Sequence, residues 1–292
     1  MSKKVLVSGA TGATGLATVR ESIALGLDVR AMVRAKDARS EALEKLGAEV
    51  VIGDYFDIDS ICAATQGVEA AYYCYPVAPG LLNATVNFAQ AARETGMKAV
   101  LYLSQRSINR NSTSHLCRDG YIAEQVLNWS RLPVIHLRPT MFLDWLLYPT
   151  QLRHLRQGIL SMPVGKGRHS PIASSDQGRA IAALLKDPEE HIGTSIDLSG
   201  PVEMDHEQIA AELSKALGRK IVFQDASLDE YCTAAENAGM PPYLVNHFRG
   251  GLLDYRNGHM SGADNNIEKL TGRRPMTVGE FARAHADLLN GN

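Results

Sequence analysis

Long apolar runs are missing from this chain, and no stretch approaches the roughly 18 residues that a membrane-spanning helix needs. Lys3-Lys4 stand before an apolar run as in a secretory signal, but that run is only three residues long before it meets Ser8-Gly9. Cysteine is scarce, with 4 in 292 residues. Cys62, Cys74, Cys117 and Cys232 show neither a C-x-x-C pair nor zinc spacing, so they read as reduced thiols in a cytoplasmic protein. An excess of one charge is missing too: the net charge is −2 and the basic residues are interleaved with acids, which leaves no footprint for nucleic acid. His115, His136, His154 and His169 are too dispersed for a metal site. Ser112, Ser114 and His115 lack the Gly-x-Ser-x-Gly elbow of a hydrolase.

With 45% hydrophobic and 21% charged residues, what remains is a globular composition, long enough for one large domain or two modest ones. Its most informative stretch is Val5-Leu6-Val7-Ser8-Gly9-Ala10-Thr11-Gly12-Ala13-Thr14-Gly15. A buried strand breaks into glycines, and Leu16, Val19, Ile23 and Leu27 then recur at helical spacing. The first N–H groups of a helix have no internal partner and sit at the positive end of its dipole, so such a turn holds a pyrophosphate. Glycine lets the phosphate approach the backbone. The spacing is Gly-x-x-Gly-x-x-Gly, one residue longer than the usual dinucleotide fingerprint. Gly9, Thr11, Gly12, Ala13, Thr14 and Gly15 are the expected phosphate contacts.

Strand patterns follow at 29–33, 49–52, 70–74, 99–103 and 134–137, alternating with helices at 40–46, 57–65, 81–94 and 120–129. That rhythm specifies a Rossmann-type, doubly wound α/β fold with a parallel sheet covered on both faces. The polar segment 104–114 shows neither period and reads as a loop on the ligand-binding edge. Helices are expected at 142–156, 175–185, 205–217, 228–238 and 278–289, with strands at 195–198 and 221–223. Residues 1–140, with 172–200, are expected to form the cofactor domain. Residues 141–171 and 201–292 are expected to form a smaller, mostly helical lobe over the ligand edge.

Cofactor choice is read after the second strand, about 20 residues beyond the glycines, where an acid would hold a free 2′-hydroxyl. Arg34 and Lys36 stand there instead, and an arginine pairs bidentately with a 2′-phosphate. NADP(H) is therefore expected in preference to NAD(H), although both side chains also fit solvated loop charges. Asp54 and Tyr55 follow the third strand, where the carboxylate can accept from adenine or simply cap a turn. Tyr75-Pro76 ends the fourth strand and is expected to wall the ribose or merely to terminate the strand.

The glycine turn, Val29-Arg30-Ala31-Met32-Val33-Arg34, Gly53-Asp54 and Leu137-Arg138-Pro139-Thr140-Met141-Phe142 occur in this order. Together they resemble the NmrA-like members of the atypical short-chain dehydrogenases. Leu270-Thr271-Gly272-Arg273-Arg274-Pro275 before Glu280-Phe281 is similar to bacterial members. The resemblance implies an NADPH-dependent reductase of quinones, azo dyes or secondary metabolites, or a regulator that binds the dinucleotide without turning it over. It also implies cofactor contacts at Ser104, Gln105, Pro139 and Phe142. The chain departs from the pattern at the proton donor. Tyr121 is followed four residues later by Gln125 rather than lysine, and Gly120 stands four before Glu124, where many relatives carry lysine or histidine. Ser104 and Tyr121 remain as catalytic candidates.

Without a positioned acid, the expected reaction is hydride transfer to a conjugated, electron-poor acceptor, whose reduced anion water can protonate. The alternative is an NADP-binding sensor that presents a surface to a regulatory protein partner. Phe142, Trp145, Tyr243 and Phe248 are expected at the substrate, with Tyr148 and Tyr255 as further aromatics, or else as core at helical spacing. Pro241-Pro242 marks either a lid hinge or an interhelical turn. No metal is expected, and the chain is expected as a monomer or homodimer.

Overall fold

The computed structural model describes residues 2–291, so the outermost bounds of the expected lobes, 1 and 292, lie outside the described residues. The first half repeats strand and helix: β1 (Lys4–Val7), α1 (Ala13–Ala24), β2 (Asp28–Val33), α2 (Ala38–Lys45), β3 (Glu49–Ile52), α3 (Ile58–Thr65), β4 (Ala70–Tyr73), α4 (Leu81–Glu94), β5 (Ala99–Leu103), α5 (His115–Trp129) and β6 (Val134–Pro139). The second half adds α6 (Pro149–Arg156), β7 (Ile159–Met162), β8 (Arg168–His169), α7 (Ser174–Lys186), β9 (Ser195–Leu198), β10 (Met204–Asp205), α8 (His206–Leu217), β11 (Val222–Asp225), α9 (Leu228–Asn237), α10 (Pro242–Arg256), α11 (Asn266–Thr271), α12 (Val278–Ala284) and α13 (Ala286–Asn290). No helix of the described residues is long and apolar enough to cross a membrane.

Seven strands form one parallel sheet in the order β3-β2-β1-β4-β5-β6-β9. The direction of strand addition reverses between β1 and β4, and the crevice outside the carboxyl ends of those two strands is where open sheets of this kind hold ligands. Side chains alternate across each strand. Val5 and Val7 join Val19, Tyr72, Leu101 and Leu184 in one buried cluster, while Leu6 joins Ile61, Tyr73 and Phe88 in the other. A third cluster, with Leu143, Leu155, Leu160, Ile209, Leu213 and Phe281, belongs to the second half of the chain. α1 and α7 lie unusually close, since a Cβ on Gly178 would stand 2.5 Å from the Ala17 Cβ and 2.6 Å from its backbone carbon.

Several expected boundaries move, each for a local reason. The helix expected at 142–156 is two pieces: a 3₁₀ turn, Leu143–Leu147, ends at extended Tyr148, and Pro149 then opens α6. Proline has no N–H to continue a helix but is tolerated at the first position of a new one. The helix expected at 278–289 breaks at His285, whose Nδ1 lies 2.9 Å from the Phe281 carbonyl. α5 begins at His115 rather than residue 120, because the Ser114 hydroxyl caps it by accepting from the Cys117 N–H at 3.3 Å. β7, α10 and α11 give no clear periodicity and emerge only from the fold. The strand at 195–198 does join the sheet, beside β6.

Candidate active site

Among the described residues, six of the thirteen α-helices are capped by their own N-cap side chains. The side chains of Asp37, Asp57, Ser114, Asp205, Ser227 and Thr277 accept from the first-turn N–H groups of α2, α3, α5, α8, α9 and α12. α1 is among the helices without such a cap: its N-cap is Gly12, and it follows the glycine turn after β1. Its first N–H groups face the crevice at the carboxyl end of β1 and are left for an anion. Gly9 turns the chain at φ +60°, and a Cβ on Gly15 would stand 2.1 Å from the Gly9 carbonyl oxygen. Glycine at 15 thus lets the loop fold flat against its own helix. Ala13 is exposed there, Thr11 is half-buried, and Thr14 accepts through its carbonyl from the Thr18 hydroxyl at 2.8 Å. Cys74 packs below Gly9, where burial pushes its thiol up to about 11 and keeps it protonated.

On the β2 side of the crevice, Arg34 is exposed and forms no ion pair among the described residues. Lys36, expected to share its task, lies 2.9 Å from Glu44. Asp37 is committed to capping α2 and pairing with Arg39. Asp54 accepts from the Phe56 N–H at 2.9 Å, which makes it a turn residue with one oxygen still open to the crevice. The Tyr55 hydroxyl donates to the Cys74 carbonyl at 3.0 Å, and burial raises its pKa far above the ordinary phenol value. Tyr55 therefore presents ring rather than hydroxyl, with its centroid 5.7 Å from that of Tyr75. The Tyr75 hydroxyl donates to Pro79 at 2.6 Å, which leaves Tyr75 as wall and Pro76 exposed beside it.

On the other side, Ser104 ends β5 and its N–H donates to Leu137 at 2.8 Å. Its hydroxyl is buried and has no partner, and such orphans are rare enough to call for a ligand or a water. Gln105 turns away, with its amide 3.4 Å from the Cys117 sulfur. Pro139 is buried at the end of β6, and Phe142 is half-buried and bridges to Ile172. Tyr121 is half-buried on α5. Glu124 is only 2% exposed and is gripped by Arg138, with Nε donating at 3.0 Å and Nη2 at 2.5 Å.

Trp145 packs as core, the other reading of its helical spacing: at 8% exposure it joins the third apolar cluster, with its ring 6.0 Å from that of His206. Tyr255 is likewise core, and Tyr148 is exposed. Phe248 packs against Tyr231. Tyr243 is half-buried, its ring 6.0 Å from that of His115 at the start of α5.

What the sequence concealed is how α10 is moored over the crevice. The Asn246 side chain accepts from the His115 N–H at 3.0 Å, and Ser114 Oγ meets His247 Nδ1 at 3.0 Å. Ser112 donates to Asp254. A Cβ on Gly250 would stand 2.2 Å from the Ser114 nitrogen, so only glycine allows that approach. Arg106 completes the mooring of the 104–114 loop, donating to Gly262 at 2.8 Å and pairing with Asp264 at 3.0 Å and Asp197 at 3.2 Å. Ser112, Ser114, His247 and Asp254 thus resemble hydrolase parts in composition only, because they join loop to helix. Among the described residues no group of three or more metal-ligating side chains gathers.

The sequence pattern of the NmrA-like family matches residues 1–281. This chain belongs to the NmrA-like family. The NAD(P)H azoreductase of Xenophilus azovorans is 26% identical to it, over 97% of this chain and 98% of the azoreductase. Quinone oxidoreductase 2 of Escherichia coli is 25% identical, over 94% and 96% of the two chains. The triphenylmethane reductase of a Citrobacter species, solved with NADP(H), superposes with a TM-score of 0.83 at 22% identity and covers 97% of this chain and 99% of its own. At that identity the last similarity establishes the fold, and this NmrA-like chain keeps it from β1 to α12.

The residues present suit a dinucleotide. An uncapped helix, a loop that excludes Cβ atoms, an unpaired arginine beyond β2 and an orphaned serine hydroxyl lie along one crevice.

Proposed function

We propose that this NmrA-like protein is an NADP(H)-dependent reductase of conjugated, electron-poor acceptors, of the quinone, azo or enone class. The uncapped α1 N-terminus takes the pyrophosphate, and Arg34 takes the 2′-phosphate, for which NAD(H) has no equivalent. Ser104 holds the nicotinamide side through its free hydroxyl. The bound cofactor supplies the hydride. Residues 1–140 with 172–200 serve as the cofactor domain, and 141–171 with 201–292 as the lobe that closes over the acceptor.

The acceptor class rests on one observation: α5 lacks the donor pattern of its relatives. Gly120 stands four residues before Glu124, Tyr121 lacks its lysine, and Glu124 is held by Arg138. A ketone reduced here would leave an alkoxide without a lysine-activated tyrosine on α5, a general acid of the kind that usually contributes about 10²–10⁴-fold. A quinone or azo compound leaves a delocalised anion instead. Azo and quinone reduction, named for two relatives, fits that restriction.

Anaerobic oxidation of NADPH against a panel of quinones, azo dyes and enones tests the reading. Saturable turnover of at least one class is expected. Tight NADPH binding with no turnover on any of them overturns the enzyme in favour of a dinucleotide-binding regulator.

A further inference from the structure

The departure of α5 from the donor pattern of its relatives leaves open what meets the oxygen or nitrogen of the acceptor. Among the described residues of the lobe, one buried hydroxyl has no partner, that of Tyr243. Tyr243 lies in the first turn of α10, where the Asn246–His115 and Ser114–His247 bonds fix that helix against α5. Its ring stands over the first turn of α5, 6.0 Å from His115. Its hydroxyl is shielded from solvent and finds no partner among the described residues.

Several neighbouring hydroxyls are committed, and that of Ser104, in the proposed reaction, holds the nicotinamide side. Tyr55 donates to Cys74, Tyr75 to Pro79, Ser112 to Asp254 and Ser114 is shared with His247. A buried hydroxyl left without a partner costs about 1–3 kcal/mol, which a ligand recovers by supplying an acceptor atom.

Resting on the proposed reaction, we infer that the Tyr243 hydroxyl is the donor that receives the heteroatom of the acceptor, from the wall opposite the one where short-chain dehydrogenases carry theirs. The surroundings agree. Burial, and then the charges of Asp119, Tyr75 and Cys117, raise the pKa of the phenol, so it keeps its proton at neutral pH and acts as a donor. Those three groups belong to the carboxyl end of β4 and the first turns of α5.

In the reaction, the acceptor gains a hydride and its electron pair at the electron-poor atom, and the π electrons move onto its oxygen or nitrogen. That atom then bonds to the Tyr243 proton as the phenol O–H bond breaks. The phenolate recovers a proton from water on the side of the exposed His115. A substrate for this site therefore carries an oxygen or nitrogen conjugated to the reducible position and on the α10 side.

The test compares the wild type with Tyr243→Phe, which keeps the ring. Two acceptors are used: 1,4-naphthoquinone, whose reduced anion is weakly basic, and cyclohexenone, whose anion is strongly basic. In the variant, kcat for cyclohexenone is expected to fall about 100-fold or more and kcat for naphthoquinone by less than about 10-fold. The NADPH Kd is expected to be unchanged and the Tm to be equal or higher, since the variant loses an unpaired buried hydroxyl. Equal losses on the two acceptors overturn the inference.

A second measurement separates this inference from the reaction it rests on. 4-Nitrophenolate, a planar anion, is titrated into the NADP⁺-loaded protein, and about 10-fold weaker binding is expected in the variant. Wild-type affinity in the variant overturns the assignment whatever the turnover. A wild-type protein that reduces no acceptor, but binds 4-nitrophenolate about tenfold better than the variant, overturns the reaction and keeps Tyr243 as the donor.

Discussion

Arg138 and Glu124 meet as a two-pronged pair between β6 and α5, with the carboxylate only 2% exposed and the guanidinium 33% exposed. Each tooth of the guanidinium fork meets one carboxylate oxygen, and the arginine holds its proton more tightly for it. Glu124→Ala leaves that arginine half-buried without a counter-charge. Because the arginine keeps some access to water, a loss of about 2–3 kcal/mol is expected rather than the full penalty for a dry pair. Urea unfolding measures it. A change under about 0.5 kcal/mol, the size expected for an ordinary surface substitution, contradicts the structural role.

Arg34 is the free charge of the cofactor crevice, so its removal separates the two nicotinamide cofactors. Arg34→Ala is expected to raise the Kd for NADPH by about 10–100-fold, the worth of a charge-assisted bond. The Kd for NADH should stay within about twofold, since that cofactor presents no phosphate there. Fluorescence titration of both cofactors decides it, and a parallel weakening of the two rules out a 2′-phosphate contact.

Gly15 is the least replaceable of the three loop glycines. A methyl there meets Gly9 O at 2.1 Å, Gly9 C at 2.7 Å and Ala10 Cα at 2.8 Å, and all three are backbone. Gly15→Ala must separate the loop from α1 at an overpacking cost of about 1–3 kcal/mol. Thermal unfolding with and without NADPH is expected to show both a lower Tm and a smaller ligand-induced rise. A variant with an undiminished rise shows that the loop adjusts without harm.

A buried trio of side chains sets the acid limit. His169 Nδ1 lies 2.6 Å from the Tyr255 hydroxyl, which lies 3.4 Å from His206 Nδ1. Burial holds the His169 imidazole well below its ordinary range and His206 down to about 4, although Asp205 and Asp225 pull the latter upward. The unfolded chain takes up these protons near pH 6.5, so between pH 6.5 and 4 it binds more protons than the native state. Stability therefore falls as pH falls through that window, by about 3 kcal/mol for His206 alone. His206→Phe, which cannot titrate, is expected to flatten the dependence of Tm on pH below 6.5. An unchanged slope assigns the acid sensitivity to other groups.

The first half of the molecule was legible because its signals are local. Apolar runs bounded by glycines gave the strands, and α4 and β5 fall at 81–94 and 99–103, where periodicity puts them. The glycine loop was legible for the same reason. Much of the second half was not, because α10 carries Gly250-Gly251 and polar residues whose partners are Ser112, Ser114 and His115, more than a hundred residues earlier in the chain. Trp145 illustrates the same limit. Helical spacing fits a pocket wall and a core equally well, and only the position of α8 and its His206 settles which it is. Arg106 gave no pattern at all, since its anchors Asp197 and Asp264 come from distant segments.

The fit of α7 against α1 bears on the order in which this protein becomes able to hold a nucleotide. Gly178 touches Ala17 and the Thr18 nitrogen, so the outer face of the phosphate-binding helix is sealed by a segment that leaves the ribosome some 150 residues after it. A nascent chain that already displays β1 to β6 still has α1 uncovered on that side. The glycine loop is among the first parts of the chain to be made, but its helix is among the last of the sheet's elements to be fixed in place.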